Sequence, residues 1–450
     1  MRVLHVLANS PPDVNGYAVR TQNILAAQLA NSKIQPVGLT SPWYPDRESM
    51  SKPLVDGGIT YLRCLHPARM DSVPGIGLNW VASRGKSRII NHSKPKRKSL
   101  VKRSINYVLG FMRPVMYWIE ERILFKHFRN RIVEVAKSEQ AEIIHAHVPY
   151  RVGIPSMQAA RILNLPFVYE MRGLWEESAI ASGRWRAGGI AYRRFRRLEN
   201  KVLKNADVVV CISNTLRDEA ISRGVEPNRI FVVPNAVNHV IEPSQKPDLF
   251  FEVEEKLANH SVVGYIGSLR SLEGVDLTAN AVAELRKKGI NAKFFVLSSE
   301  PGQADLRAYC RELGIDNDSY IVGPVPHEQV SHFYKLIDVF VVSRPDTRVT
   351  RIVTPLKPFE AMYHSRPLVM ADLPALAEIV DNGENGILYA PGNVSRLVES
   401  ISSILADKNY GDRLGKAARE WIISERTWSD VCTEYDLIYS QAEDFRGGNR

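Results

Sequence analysis

The chain of 450 residues has few cysteines and no long apolar run. Its four cysteines are scattered without a paired spacing, which argues against a disulfide framework or a zinc site and is typical of a reducing compartment. The N-terminal segment is apolar for only a few residues, so we interpret it as a first strand and not as a signal peptide. Because no run of about 18 apolar residues exists, no transmembrane helix is predicted.

One segment, from Ser72 to Ile119, lacks acidic residues altogether and carries ten basic ones. The net charge of the whole chain is also +10, so the remainder of the chain is neutral. Basic residues are mixed there with apolar and aromatic ones, which is the composition of an element that lies on an anionic membrane surface. We therefore predict a cytoplasmic enzyme that is peripheral on the inner face of the cell membrane. The alternative is a basic loop that serves only solubility.

Short β-branched runs such as "RVLHVLA", "DVVVCIS" and "VFVVS" alternate with helical patterns along almost the whole chain. Nearly continuous apolar strands are expected when helices cover both faces of a parallel sheet. The fold class is therefore α/β, with two Rossmann-like domains that face each other across a cleft. A polar stretch with two prolines, Asn238–Pro247, predicts the linker between them. We expect domains at 1–240 (with the basic insertion at about 72–119) and 248–426, and a helix at 427–450 that packs back on the first domain.

The segment "TPLKPFEAM" places Lys357 at the predicted start of a helix. A helix N-terminus carries a partial positive charge, so a cation there is unfavourable unless an anion lies between the two. Arg344, Arg348 and Arg351 precede this lysine and follow the strand "VFVVS". We interpret the cluster as a diphosphate site at the carboxyl edge of a sheet, in preference to a solvated basic loop.

Other candidates for a nucleotide site lie near this cluster or at strand ends. Glu360 lies three residues after Lys357, where its carboxylate could accept hydrogen bonds from ribose hydroxyls. The alternative for Glu360 is a simple helix-dipole effect of ~0.3–1 kcal/mol. Gly16 lies between the first strand and the first helix, where the backbone can approach a ligand and N–H groups point into the cleft. The first strand of the second domain is followed by three more candidates: Gly267, Ser268 and Arg270.

Polar side chains also end two strands of the first domain. His145 and His147 share one face of "AEIIHAHV" because they are two residues apart. One of them could contact the substrate, or both could be structural; the spacing also permits a metal pair, but no convincing third ligand is evident. Glu170 and Arg172 follow the strand "PFVY". They could supply a general base, bind sugar hydroxyls or form an internal ion pair.

Taken in order, these motifs resemble a retaining glycosyltransferase of family 4, which has the GT-B fold. The resemblance rests on the glycine loop at Gly16 and on "HAH", "CIS", "PNAVN", "GSLRSLEGVDLTANAVAEL", "YIVGPVPHEQV" and "FEAMYHSRPLVMADLPALAEIV". It covers nearly the whole chain and is weakest between about Pro45 and Glu134. Members linked to exopolysaccharide assembly carry "TPLKP" before the last of these motifs, as this chain does.

The resemblance implies transfer of a sugar from a nucleotide-sugar donor to a lipid-linked or saccharide acceptor, with retention and with no metal or other cofactor. The donor would bind mostly to the second domain and the acceptor to the first. By position, Glu360 would bind the ribose, His147 would lie near the transferred sugar and Gly16 would approach the diphosphate. The backbone around Val325 would hold the base. Three more residues are candidates for acceptor or sugar contacts: His145, Glu170 and Arg172.

Two positions depart from the family pattern. The first glutamate of the E-x7-E motif corresponds to Ile352, so the usual carboxylate contact to the donor sugar is missing. The arginine and lysine that follow the Gly267 strand in the family correspond to Ser268 and Glu273. The diphosphate therefore loses its common cations.

We infer that Lys357, with Arg344 or Arg351, replaces this missing positive charge, and we count Lys357, Arg351 and His147 as catalytic candidates. Two other functions stay open. A nucleotide-sugar epimerase of the GT-B fold would need the donor alone, because a fold does not fix the reaction. A non-enzymatic module could bind nucleic acid through residues 72–119, but that segment carries no nucleic-acid-binding signature, so no such partner is expected.

Overall fold

The computed structural model describes residues 1–13, 15–31, 33–44, 52–67, 100–238 and 245–448, with side chains from residue 118 onward in the helix that begins at Leu100. Most of the predicted basic insertion at 72–119 and most of the predicted linker at Asn238–Pro247 therefore lie outside the described residues. No helix within the described ranges is long and apolar enough to cross a membrane.

The first domain is built on a sheet of eight described strands. In chain order they are β1 (Arg2–Leu7), β2 (Gln35–Thr40), β3 (Leu54–Asp56), β4 (Ile59–Arg63), β5 (Ile143–His147), β6 (Phe167–Met171), β7 (Val208–Cys211) and β8 (Ile230–Val232). Their order across the sheet is β3-β4-β2-β1-β5-β6-β7-β8, and the pairs are parallel except β3 with β4. From β4 to β7 this is the strand order of a Rossmann fold.

Helices connect and cover these strands. They are α1 (Gly16–Ala30), α2 (Leu100–Ser138), α3 (Tyr150–Leu163), α4 (Trp175–Ala181), α5 (Ile190–Asn205) and α6 (Asn214–Ser222). Buried side chains on both faces of β5, such as Ile143 and Ile144, belong to two different core clusters. That is the physical reason for the continuous apolar pattern in the sequence.

The second domain repeats this design with six described strands. They are β9 (Ser261–Ile266), β10 (Ala292–Leu297), β11 (Ser319–Val322), β12 (Val339–Val342), β13 (Leu368–Ala371) and β14 (Ile387–Tyr389). Their order is β11-β10-β9-β12-β13-β14, again that of a Rossmann fold, and every pair is parallel. The predicted α/β class with two Rossmann-like domains is confirmed.

The helices of the second domain follow the same alternation. They are α7 (Asp248–Leu257), α8 (Val275–Lys287), α9 (Gln303–Glu312), α10 (Val330–Tyr334), α11 (Arg348–Ile352), α12 (Lys357–Tyr363), α13 (Pro374–Ala377), α14 (Val394–Ala406) and α15 (Lys408–Glu425). The helix predicted at the "KPFEAM" segment begins at Lys357, with a proline in its first turn. Proline is tolerated there because its missing N–H would have no partner within the helix.

Two C-terminal helices, α16 (Trp428–Val431) and α17 (Glu434–Gly448), pack on the first domain. Trp428, Tyr435 and Tyr439 are buried in one core cluster with residues of the first sheet. The chain returns beside the start of the linker, since Trp428 N–H donates to Val237 O at 3.0 Å. The end of the chain thus becomes part of the first domain's core.

Three strands, β2 to β4, are absent from the sequence prediction. Strand β2 contains Pro36 and Gly38, which are uncommon inside strands and hide the pattern. The glycine has a packing reason: a Cβ at this position would lie 2.6 Å from the ring of Tyr61 on β4. Its identity is therefore explained by a neighbour more than 20 residues away.

Candidate active site

Four of the predicted site residues lie at the two points where the strand order reverses. These points fall between β1 and β5 in the first sheet and between β9 and β12 in the second. In such sheets, ligands bind in the crevice outside the carboxyl ends of the strands at this point. Gly16 follows β1 and His147 ends β5, whereas Gly267 follows β9 and Arg344 follows β12. The topology therefore places residues from four strand ends beside the two crevices in which such sheets bind ligands.

The two domains contact each other near these points. A Cβ added to Gly16 would lie 3.6 Å from Leu356 Cδ1, and one added to Gly173 would lie 3.6 Å from Val353 Cγ1. Asn235 donates from Nδ2 to Thr354 O at 3.3 Å. The segment just before α12 in the second domain is thus seated against strand ends of the first domain, with Gly16 beside it.

Charged groups hold this arrangement on one side. Glu378 of the second domain accepts hydrogen bonds from the N–H groups of Asn214 and Thr215, at 2.8 and 2.7 Å, where α6 of the first domain begins. A carboxylate at a helix N-terminus is favourable because of the helix dipole. Arg348 Nη2 lies 2.7 Å from Glu219 Oε2 across the same interface. Arg348 of the predicted anion cluster therefore joins the domains.

Lys357 and Glu360 form an ion pair on the first turn of α12. Lys357 Nζ lies 3.2 and 3.1 Å from the two carboxylate oxygens of Glu360, and the side chains are 30% and 26% exposed. Tyr334 OH donates to Glu360 Oε2 at 2.8 Å. Burial alone would raise the pKa of Glu360, but Lys357 and the Tyr334 hydroxyl hold it below its usual value. The carboxylate is therefore ionised at neutral pH and can accept hydrogen bonds from hydroxyls.

Arg344, which is predicted to bind the diphosphate, is paired with a buried carboxylate in this structure. Arg344 Nε and Nη2 donate to Glu273 Oε2 at 3.0 and 2.9 Å, and Nη1 donates to Val353 O at 3.0 Å. Both side chains of the pair are at most 6% exposed. Glu273 occupies the position of the family's lysine, so a buried ion pair stands where the family has a phosphate-binding cation.

Two other predicted cations lie near the surface. Arg351 Nη1 lies 3.0 Å from Asp346 Oδ2, and both side chains are about half exposed, at 52% and 49%. Arg270 is 62% exposed and lies 3.1 Å from Glu273. Of the predicted cations, Lys357 is therefore the one that combines partial burial with the start of a helix.

The other candidates for donor binding differ in how much of each residue is available to a ligand. Asn15 Oδ1 accepts from the N–H groups of Tyr17 and Ala18 at 3.0 and 3.1 Å, so two of the N–H groups expected to point into the cleft behind Gly16 are already bonded. Ser268 is exposed at the end of β9. Val325 is half-buried against the core of the second domain.

Glu170 lies at the centre of a buried ionic network beneath the first-domain half of the cleft. Its Oε1 accepts from Arg20 Nε at 2.8 Å and from Arg172 Nε at 2.9 Å, and its Oε2 accepts from Tyr435 OH at 3.0 Å. Burial would raise the pKa of Glu170, but the two guanidinium groups hold it well below its usual value. Glu170 and His145 have no exposed surface. The internal ion pair therefore fits the structure, and the predicted direct sugar contacts of these two residues do not.

The buried histidines include one that the sequence prediction missed. His5 on β1 lies opposite His145 on β5, and its Nδ1 lies 3.0 Å from His147 Nε2. Nitrogen atoms of all three histidines lie within 4.8 Å of one another, so His5 provides the missing third member of a metal-ligand set. Burial lowers the pKa of each imidazole, which keeps all three neutral.

A hydrogen-bonded arrangement accounts for this cluster better than a metal ion. Arg172 Nη2 bonds to His147 Nδ1, and a guanidinium can only donate. A metal on His147 Nε2 would require a proton on Nδ1, where it would face that donor. His5 is visible in the sequence as a polar residue inside the apolar run "RVLHVLA", and this is the signal that could have identified it.

Two family models match the chain. The Glycosyl transferase 4-like domain matches residues 15–236, and the model named Glycosyl transferases group 1 matches residues 248–421. These ranges coincide with the two Rossmann-like domains and leave little of the chain unmatched. The protein is a glycosyltransferase with the GT-B fold, and it belongs to the family 4 type that combines these two domains.

Individual relatives are distant. The glycogen synthase of Mycobacterium tuberculosis (strain H37Rv) is 23% identical over 313 residues, which is 68% of this chain and 70% of the relative. The alpha-monoglucosyldiacylglycerol synthase of Streptococcus pneumoniae is 22% identical over 346 residues, which is 71% and 76% of the two chains. The solved structure of Anabaena HepE in complex with UDP-glucose matches with a TM-score of 0.65 and 15% identity and covers 98% of this chain and 99% of that chain. The structural likeness shows the fold alone.

Proposed function

We propose that this glycosyltransferase moves a sugar from a nucleotide-sugar donor to a lipid-linked or saccharide acceptor, with retention of configuration and without a metal. The observation that carries the proposal is the apposition of Gly16, after β1, with the loop that leads into Lys357 and Glu360. A Cβ at Gly16 would lie 3.6 Å from Leu356, the residue before Lys357, so the glycine loop of the first domain lies next to the start of α12. Names of similar proteins agree with this chemistry, since they include a saccharide synthase, a glycolipid synthase and a complex with UDP-glucose.

In this proposal, Lys357 and Glu360 exchange their mutual contact for contacts with the donor. The diphosphate takes the place of a counter-ion beside Lys357 and the start of α12, where the helix dipole favours an anion. Glu360, held ionised and oriented by Tyr334, accepts hydrogen bonds from the ribose hydroxyls. The bound anion would then explain why a lysine lies at the start of α12, where the helix dipole alone disfavours a cation.

Transfer with retention needs little covalent chemistry from the protein. The acceptor hydroxyl attacks the sugar on the face from which the diphosphate leaves, and the leaving phosphate oxygen takes the hydroxyl proton. Lys357 stabilises the negative charge that develops on the leaving group. The domain contacts at Glu378 and Arg348 hold the two substrates in register and limit the access of water.

The test is a donor screen followed by a product assay. Binding of UDP-, GDP- and ADP-sugars is measured by thermal shift, because a ligand of the native state raises apparent stability. The donor that binds is then incubated with and without saccharide or polyprenyl-phosphate-linked acceptors, in the presence of EDTA. We expect product only with an acceptor, with the donor's anomeric configuration by NMR. Epimerised donor formed without any acceptor would support the epimerase instead, and loss of activity in EDTA would contradict metal independence.

We further propose that the enzyme reaches a lipid-linked acceptor by docking on an anionic membrane. Support in the described residues comes from two adjacent helices of the first domain. Helix α2 exposes Trp118, Ile119 and Ile123, and helix α5 exposes Ile190. Arg194 of α5 lies 5.5 Å from the centre of the Trp118 ring, so the two helices contribute to one surface. Exposed apolar side chains beside basic ones are typical of an interfacial element.

The basic part of this surface lies on α5. Its exposed cations are Arg193, Arg197, Lys201 and Lys204. Each such cation contributes about 1 kcal/mol near an anionic surface, so a few are enough for reversible binding. The acid-free segment at 72–119 carries ten further cations in the same domain.

Sedimentation with liposomes tests this docking. We expect binding that requires anionic lipid, falls as salt rises and drops sharply when Arg193, Arg197 and Lys201 are changed to Gln. A matched control removes three exposed cations of the second domain: Lys287, Lys288 and Lys416. Equal loss in both triple variants would show that net charge alone governs binding, and equal sedimentation with neutral liposomes would contradict the proposal.

A further inference from the structure

Seven polar side chains beneath the first-domain half of the cleft form a closed loop of contacts. In order, its members are Arg172, His147, His5, Gln28, Tyr439, His145 and Glu170. Each is at most 4% exposed. We call this set the buried hydrogen-bond loop. It joins β1, β5 and the end of β6 to helices α1 and α17.

Arg172 fixes which atoms donate and which accept in the part of the loop that contains His147 and His5. Glu170 Oε2 lies 3.3 Å from His147 Nδ1, but Arg172 Nη2 is bonded to the same nitrogen. A guanidinium only donates and keeps its protons, so His147 Nδ1 must accept. A neutral imidazole has one donor and one acceptor, and the proton of His147 is therefore on Nε2, which lies 3.0 Å from His5 Nδ1. His5 accepts at Nδ1 and donates from Nε2 to Gln28 Oε1 at 2.8 Å.

Glu170 fixes the donors and acceptors in the part of the loop that contains His145 and Tyr439. His145 Nε2 lies 3.3 Å from Glu170 Oε2 without hydrogen-bond geometry, and the negative charge of the carboxylate favours a proton on this nearer nitrogen. His145 Nδ1 then accepts from Tyr439 OH at 2.9 Å, and Tyr439 accepts in turn from Gln28 Nε2 at 2.9 Å. The assignment that starts from Arg172 and the one that starts from Glu170 agree at Gln28. Both require its Oε1 to accept from His5 and its Nε2 to donate to Tyr439.

The reverse assignment fails at Arg172. If the Gln28 amide were turned by 180°, its N–H would face His5 Nε2, and the protons on His5 and His147 would move to their Nδ1 atoms. His147 would then present an N–H to the guanidinium N–H, with two buried donors in contact. Only one set of proton positions therefore avoids a contact between two buried donors in the loop. The orientation of the Gln28 amide links the His5 side of the loop to the Tyr439 side.

We propose that Gln28 and Tyr439 are positioning residues that hold His147 as a neutral imidazole with its single N–H on Nε2, through His5 and His145. This inference rests on the proposed function and on the place beside the transferred sugar that the family resemblance implies for His147. Positive charge develops on the sugar ring in glycosyl transfer. A neutral imidazole tolerates that charge, whereas an imidazolium would repel it. Because Tyr439 belongs to α17, the helix that follows the second domain completes the first-domain half of the site.

The tautomers are observed directly by long-range ¹H–¹⁵N correlation spectra of the imidazole groups at pH 7. Signals of His5, His145 and His147 are assigned with single Asn variants. We expect all three wild-type histidines to be neutral and protonated on Nε2. An Nδ1–H signal for His147, or one equivalent of zinc retained by the purified wild-type protein, would overturn the proposal without any activity measurement.

The positioning role is tested with Tyr439→Phe and Gln28→Leu, each of which opens the loop. We expect mixed tautomers for His5 and His145 and an Nε2–H form of His147 that is no longer the sole form. We also expect a fall in kcat of about 10-fold to 100-fold, the scale known for the outer hydrogen-bond partners of metal-ligating histidines. The affinity for the nucleoside diphosphate should stay unchanged, because that ligand binds mostly to the second domain. Wild-type tautomers and wild-type kcat in both folded variants would overturn the proposal.

Two controls separate positioning from general damage. Tyr435→Phe removes a hydroxyl from the same helix one turn earlier, which bonds to Glu170 at 3.0 Å and to none of the three histidines; it should keep the three tautomers. Gln22→Leu removes an amide of α1 that bonds to Asp56 outside the loop, and it should keep both tautomers and kcat. If neither wild type nor variants transfer sugar from any donor, the proposed function fails, while the tautomers still decide whether the loop exists.

Discussion

Arg344 and Glu273 form a bidentate ion pair, with Arg344 Nη2 2.9 Å from Glu273 Oε2, and Glu273 occupies the position at which the family carries a lysine. The arginine at the end of β12 and the glutamate before α8 neutralise each other. The nucleotide half of the cleft therefore depends on another cation, and Lys357 is the candidate. This relationship leads to the first prediction.

Arg344→Ala should destabilise the protein by about 3–5 kcal/mol, because it leaves the Glu273 carboxylate buried without its partner. The double variant Arg344→Ala/Glu273→Ala should recover a large part of this loss. Urea unfolding measures both effects. A folded Arg344→Ala protein with normal stability and a hundredfold weaker affinity for nucleoside diphosphate would instead assign Arg344 to the phosphate site.

Lys357→Ala should lower kcat/KM by roughly 10²–10³, the scale observed when one stabilising donor of a developing negative charge is removed. Lys287→Ala is the matched control, because Lys287 also forms an i,i+3 pair with a glutamate, Glu284, at 2.7 Å on the solvent-facing side of α8. Steady-state kinetics with the identified donor compares the two. Equal kinetics in the two folded variants would remove Lys357 from the reaction.

Glu360→Gln should weaken binding of the free nucleoside diphosphate by ~1–3 kcal/mol, since a charged acceptor for the ribose hydroxyls becomes neutral. Isothermal titration calorimetry measures the change, with Glu284→Gln as the control for loss of a Lys–Glu pair. Nucleoside diphosphate that binds equally to wild type and Glu360→Gln would contradict the ribose assignment.

Glu199 should make stability fall between pH 4.5 and about 7. Burial raises the pKa of Glu199 from 4.5 to about 7, although Tyr169 OH and Tyr150 N–H both donate to its carboxyl group. The folded state therefore holds a proton that the unfolded state has lost. The stabilisation is complete below pH 4.5 and disappears as pH rises through 7, at a slope of at most about 1.4 kcal/mol per pH unit.

Glu199→Gln, which stays neutral, should be free of this dependence. The stability of wild type relative to this variant, measured by urea unfolding, should decline from pH 5 to 7 and stay constant above it. Glu226→Gln, at a side chain that is 64% exposed, is the control. A wild-type-to-variant difference that is identical at pH 5 and pH 8 would show that Glu199 is ionised throughout.

Much of the architecture was predictable from local patterns. Apolar runs bounded by polar residues located most strands, and the proline after Lys357 marked the start of α12 correctly. The prediction was weakest where tertiary packing overrides local preference, as in β2, where Gly38 is explained by the ring of Tyr61. Gly16, His147, Lys357 and Glu360 were predicted as site residues because they lie at strand and helix ends, and their roles stay a prediction.

The sequence by itself determined the α/β class, the two-domain division and the strand ends that form the cleft, because periodicity and turn residues act over a few neighbouring positions. Only the tertiary structure decided which charges remain for a ligand. Arg344 is neutralised by Glu273, which is 71 positions away, and His147 is bonded to His5, which is 142 positions away. Such partners are set by strand order and register, which place distant residues side by side. Burial then makes each of these pairings strong enough to fix charge and proton position.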